Sequence, residues 1–185
     1  SVLSKRHQGM RVLSGFAGLR LALSSLVEFT LLSPQEDVAR QMWAKHDFSE
    51  ATLSDKKSAF EDFSVSEMNE NDLSIGAIVR IGSVCFVLTG DLEVAGEMAV
   101  IESGLTEDCD VLKAGHHGSK TSSLPEFVNS FSPEIVVVSS GKNNSYGHPS
   151  PQVLDFFRDQ FISILRTDEL GSIRFESDGD QYWLR

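Results

Sequence analysis

The sequence predicts an α/β layered domain. Three observations lead there. Strand-like alternation occupies both ends of the chain, and a hairpin with a two-residue Gly-Ser turn lies in the middle. After it, short apolar runs alternate with segments of helical period. The 185 residues and 41% hydrophobic content suit one domain with an ordinary core.

From Arg11 to Leu32 the segments FAGLRLAL and SLVEFTLL alternate as two strands, joined near Ser24-Ser25 and ended by Pro34. Val38, Met42 and Trp43 give Gln35–Lys45 a helical period, with Ser33 as a cap. Asp47–Asn71 has scattered apolar residues without a period, and predicts an exposed, partly helical connection. Ala77–Ile81 and Val84–Leu88 flank Gly82-Ser83 as a hairpin. Leu92–Ser103 predicts a helix closed by Gly104. Asp110–Ala114 predicts a short strand. Leu124–Phe131 predicts a helix capped by Ser123, with Pro125 in its first turn. Glu134–Ser139 (EIVVVS) is apolar on both faces, as in a strand covered on both sides. Ser150–Phe161 predicts a helix opened by Pro151. Ile162–Arg166, Ser172–Glu176 and Gln181–Leu184 predict terminal strands.

A net charge of −11 disfavours a broad basic face for gripping phosphates. It leaves nucleic-acid chemistry open, because a metal site supplies local positive charge. Cys85 and Cys109 lie far apart and outside any CxxC pair. They read as reduced thiols, which favours a reducing compartment and a cytoplasmic location. No apolar run approaches the ~18–20 residues of a membrane-spanning helix. The longest candidate, Val12–Leu32, is broken by Gly15, Gly18, Arg20 and Glu28. There is no signal-peptide pattern, and the initial Ser predicts a chain that is processed or cut from something longer.

Three polar turns fall at predicted strand ends, where α/β folds gather their sites. They are TGD (Thr89–Asp91), GHHGS (Gly115–Ser119) and SGKNNSYGHP (Ser140–Pro149). Asp91, His116 and His117 are residue types that ligate zinc, manganese or iron. An Asp after Gly also reads as an ordinary turn residue. Two adjacent imidazoles are costlier to bury without purpose. Neighbours on a strand point to opposite faces, so one imidazole binds while the other packs, or the turn rotates both inward; both options stay open. The third turn offers Lys142, Asn143, Asn144, Ser145, Tyr146 and His148, donors of the kind that orient a phosphate. On composition alone it reads first as a long polar loop that caps the helix at Ser150-Pro151.

In this order and spacing, TGDLE, DVLKAGHHGSKTSS, SSGKNNSYGHPSP and RTDELGSI resemble the latter half of the metallo-β-lactamase-fold domain of ComEC-like competence proteins and their soluble relatives. The match is strong over 69–185 and weak over 1–68, where SLVEFTLLSP carries it. The resemblance implies a metallo-β-lactamase-like αββα sandwich with a site for one or two zinc or manganese ions. Asp91 would be the ligand able to bridge two ions, and His116 or His117 the last histidine ligand. Lys113, Ser119, Lys120, Asn143, Asn144 and His148 would line the substrate side. The implied chemistry is phosphoester hydrolysis by metal-activated water, on DNA in the competence proteins. The HxHxDH motif that supplies most ligands in this family is absent; only His7 and His46 lie upstream. The first strands of the sandwich are missing too, so 1–185 reads as one partial domain. That leaves a sheet edge open to a partner or to self-association. The alternative is a degenerate, non-catalytic module that binds a phosphate-bearing ligand or a partner protein.

Overall fold

The computed structural model describes residues 15–38 and 68–185. It is a mixed α/β fold built on a seven-stranded sheet. The strands are β1 (Arg20–Ala22), β2 (Val27–Ser33), β3 (Gly76–Ile81), β4 (Val84–Leu88), β5 (Val111–Lys113), β6 (Ile135–Val138) and β7 (Ser163–Arg166). They lie side by side in chain order. β1 to β4 pair antiparallel and β4 to β7 pair parallel. The parallel half is linked by helices α1 (Val94–Glu102), α2 (Pro125–Asn129) and α3 (Pro151–Asp159). A short α4 (Thr167–Leu170) follows β7. A separate two-stranded ribbon, β8 (Phe175–Ser177) and β9 (Tyr182–Leu184), ends the chain.

The predicted hairpin forms as read. Gly82 takes φ +61° in its turn, and a Cβ there would meet the backbone oxygen of Gly179 at 2.3 Å. The two N-terminal strands also form, with Arg20 opposite Thr30. The helix predicted over Gln35–Lys45 is helical at 36–38. Met42, Trp43 and most of the Asp47–Asn71 connection fall outside the described residues, as do His7 and His46.

Cross-strand register explains where the core sits. Thr30, Ile78, Val87, Leu112 and Val136 line one row across five strands and are all buried. Val100 of α1, Phe127 of α2, the following Phe131, and Phe157 of α3 join the same core. Each fully buried apolar side chain contributes about 1.5–3 kcal/mol relative to exposure. The opposite row runs Phe29, Val79, Phe86, Val111 and Ile135. The ribbon covers it around Phe86, whose ring lies 5.7 Å from Phe175 and 6.4 Å from Tyr182. Leu88 on this face stays 43% exposed. β6 is accordingly sealed on one side, where Val136 and Val138 are fully buried, and only half-covered on the other, at Ile135 and Val137. The described residues thus comprise one helix-backed sheet with a small ribbon on its second face. Its outer strands among those residues are β1 and β7. No helix among the described residues is long and apolar enough to cross a membrane.

The reading of two separate reduced thiols is corrected. Cys85 and Cys109 form a disulfide, with Cα atoms 4.7 Å apart. Parallel pairing brings them together: Phe86 lies opposite Val111, so one β-α-β crossover returns Cys109 to the start of β4. Asp110 reinforces the junction by accepting the Cys85 N–H at 2.7 Å. The purified protein should therefore resist alkylation until reductant is added, and its intact mass should be lower by two hydrogens. Two readily alkylated cysteines without reductant would contradict the bond.

Candidate functional site

The parallel strands end at the same edge of the sheet, and the three turns singled out in the sequence follow β4, β5 and β6 there. Asp91 comes from β4. Its N–H donates to Ser74 Oγ at 3.1 Å. The Gly90 carbonyl before it accepts from Lys113 Nζ at 2.8 Å and from the His116 N–H at 3.3 Å. Lys113 also donates to the Ala114 carbonyl at 3.0 Å. Its ammonium thus braces the two turns against each other. Burial pulls its pKa below the ordinary lysine value, and the Asp91 charge opposes that shift.

His116 and His117 form the turn Gly115–Gly118 with φ of +40° and +58°. Two successive non-glycine residues in the left-handed region are costly, and such strain concentrates at functional sites. Both rings turn to the same locality, with centroids 6.1 Å apart. His117 Nδ1 lies 2.6 Å from the Ser139 carbonyl oxygen. A carbonyl only accepts, so Nδ1 carries the proton. In the neutral ring the Nε2 lone pair is then free, and Nε2 sits 3.7 Å from Asp91 Oδ1. Metal-binding histidines are commonly held this way, by a carbonyl on the other ring nitrogen.

His116 takes a different carboxylate. Its Nδ1 lies 2.7 Å from Glu93 Oε1, close but off the hydrogen-bonding line, so that nitrogen lacks a well-aligned partner. Glu93 also accepts from Asn69 at 2.9 Å and Asn71 at 3.0 Å. Burial pushes its pKa up, but the Asn71 and Asn69 amides and His116 outweigh it and hold the carboxyl below its ordinary value. Glu93 precedes α1 but does not cap it. Asp72 instead accepts the Gly96 N–H at 2.8 Å, which leaves Glu93 for His116.

His148 joins from the third turn, its ring 5.6 Å from His116. Burial lowers its pKa, and the charges of His116 and His117 lower it further, which favours a neutral imidazole. Gly118, at φ +75°, allows this approach: a Cβ there would lie 2.9 Å from Pro149 Cβ.

The remaining sequence candidates are placed less centrally. Ser119 is buried, its hydroxyl 2.9 Å from Thr121 Oγ1. Asn144 spends its amide on the backbone of its own loop, including the His148 carbonyl at 2.6 Å. Lys120 and Asn143 are exposed on the bordering loops. Glu93, Asn69 and Asn71 were not among the sequence candidates, and the D-x-E spacing of Asp91 and Glu93 was the available signal.

A second missed residue is Glu97 in α1, fully buried. Its carboxylate accepts the N–H groups of Ser123 at 2.7 Å and Leu124 at 2.8 Å. This corrects the expected Ser123 cap: Leu124 takes the cap position of α2 without a side-chain bond. Ser122, in the same segment, donates to the Gly115 carbonyl at 2.8 Å. Glu97 therefore supports the histidine turn from beneath.

For a metal, the arrangement offers Asp91 and His117 Nε2 on one approach. Among the described residues, the group of three donors all within 4.8 Å is instead Cys85, Glu107 and Cys109, whose sulfurs are already spent on the disulfide. The donor chemistry and the anchored His117 tautomer fit zinc or manganese, but supply fewer protein ligands than the three usual at catalytic zinc.

No family model matches the chain. It is 40% identical over 107 residues to ComE operon protein 3 of Bacillus subtilis, covering 58% of this chain and 14% of that protein. It is 36% identical over 137 residues to competence protein ComA of Neisseria gonorrhoeae, covering 74% and 18%. It is 30% identical over 105 residues to recombination protein 2 of Haemophilus influenzae, covering 57% and 13%. The chain thus spans less than a fifth of the length of the curated relatives it matches. By name these relatives are a ComE operon protein, a competence protein and a recombination protein, and the similarity supports a ComEC-like competence family.

Proposed function

We propose that this chain carries part of the active site of a metal-dependent phosphoester hydrolase, nuclease-like and of metallo-β-lactamase type, that serves DNA uptake in competence. The observation that carries the reading is His117, anchored through Nδ1 to a carbonyl with Nε2 turned to Asp91. The names of the homologues support the competence role.

Asp91 and His117 would hold the ion. A zinc or manganese ion held there would lower the pKa of a bound water and polarise a phosphoryl oxygen. Lys113 fixes the backbone from which Asp91 projects. Glu93 stands 2.7 Å from His116 Nδ1 and places a carboxylate beside that ring. His148, kept neutral, is available to donate to or accept from a substrate oxygen.

The chain, loaded with zinc or manganese and then desalted, should retain metal, and Asp91→Ala should lose it. Equal retention by parent and variant would defeat the reading. A second reading, a non-catalytic module for a phosphate-bearing ligand, draws on the two-donor count at Asp91 and His117. Asp91-dependent hydrolysis of a phosphodiester by the longest native product would exclude it.

A further inference from the structure

The geometry points to Tyr146 as a stacking platform for a base of single-stranded nucleic acid, placed beside the phosphoester site. The inference rests on the phosphoester reading above and assigns the substrate class. Tyr146 is 81% exposed, although an aromatic ring of this size is ordinarily mostly buried. Its exposure is built in. The Asn144 side chain donates to the carbonyls of Gly141 at 2.9 Å and His148 at 2.6 Å, and accepts the N–H groups of Tyr146 at 3.2 Å and His148 at 3.1 Å. Those four bonds hold the loop in one shape and leave the ring outside.

The ring is also aligned. It lies within 14° of parallel to His148, with centroids 6.0 Å apart. His148 stands against His116 at 5.6 Å, and His116 against His117 at 6.1 Å. An unbroken series of rings therefore leads from Asp91 and His117 to an open aromatic face. A nucleotide strand with its phosphate at Asp91 and His117 would follow that series and lay a base on Tyr146. Stacking needs an unpaired base, since a duplex hides its faces. The charge of −11 agrees, because double-stranded DNA concentrates phosphate charge that this protein repels. Lys120 and Lys142, exposed on the two bordering loops, offer phosphate contacts without a broad basic face.

Binding is read by fluorescence anisotropy on the whole chain without turnover, using three labelled probes. These are a short oligothymidylate, an abasic strand of equal length and charge, and a duplex. Oligothymidylate should bind about 5- to 150-fold tighter than the abasic strand. Tyr146→Ala should erase that ratio, and Tyr146→Phe should keep it. Equal affinity for the two strands, a preference for duplex, no binding of any probe, or a ratio unchanged in Tyr146→Ala would each overturn the proposal. Base discrimination without Asp91-dependent metal or hydrolysis would sustain the platform and refute the hydrolase. Hydrolysis that is blind to bases would do the reverse.

Discussion

Wild-type stability should fall by about 3 kcal/mol as pH rises from 4.5 to above 7, because of Glu97 alone. Burial raises its pKa from the ordinary 4.5 to about 7, against the N–H groups of Leu124 and Ser123, and the charges of Asp72 and Glu93 raise it further. The folded state therefore binds the proton more tightly than the unfolded chain. The stabilisation is complete below the unfolded value of 4.5 and is lost as pH climbs through about 7. Denaturant unfolding at pH 5 and pH 8 measures it. Glu97→Gln should flatten the profile, since an amide has no proton to lose. Glu97→Ala leaves two buried N–H groups unpaired, each worth about 1–3 kcal/mol. Its deficit should be larger at pH 5, where the native acid is neutral, than at pH 8. Parallel profiles for wild type and Glu97→Gln would show that Glu97 does not control the transition.

Glycine at either histidine of the strained turn should make the protein more stable. A left-handed residue with a Cβ costs about 1–2 kcal/mol, and glycine removes most of that cost. His116→Gly and His117→Gly should each gain about 1 kcal/mol, less whatever each ring contributes by contact. His117→Gly should also lose the metal retention expected of Asp91. Thermal unfolding with and without zinc separates the two effects: the variant melts higher than metal-free parent and gains nothing from zinc. A His117→Gly protein that melts lower without metal would mean that the ring, through its Ser139 bond, stabilises more than its backbone strains.

The hairpin and the βα succession were legible because they depend on neighbours in sequence. A Gly-Ser pair between two alternating runs admits few other structures, and Gly104 and Pro151 mark helix ends wherever they occur. The disulfide was not legible, because it depends on a parallel register between β4 and β5 that neither strand announces. The direction of the His116 and His117 rings was hidden for a related reason. Residue alternation predicts opposite faces only while the backbone stays extended, and here φ changes sign at both positions. Glu97 lies in a predicted helix, where an acidic residue ordinarily marks the solvent face. Only the packing of α1 over the Ser119–Leu124 segment turns it inward. Glu93 was quoted within TGDLE yet passed over, since its role needs Asn69, Asn71 and His116 drawn together from three separate segments.

The order of the strands also bears on how the chain reaches this shape. Each described strand of the main sheet from β2 onward lies beside the described strand that precedes it in sequence, so from β3 onward each new strand has its partner nearby in the chain. Contacts of short sequence span close quickly, since little loop entropy must be surrendered first. The slow event should be the docking of β2 onto β3, which spans the long connection between them. From β3 onward the sheet can zip in one direction, and the turns bearing Asp91 and His117 would meet soon after β5 arrives. The ribbon β8–β9, which covers Phe86 and follows every described strand of the sheet in sequence, would close over a face already assembled.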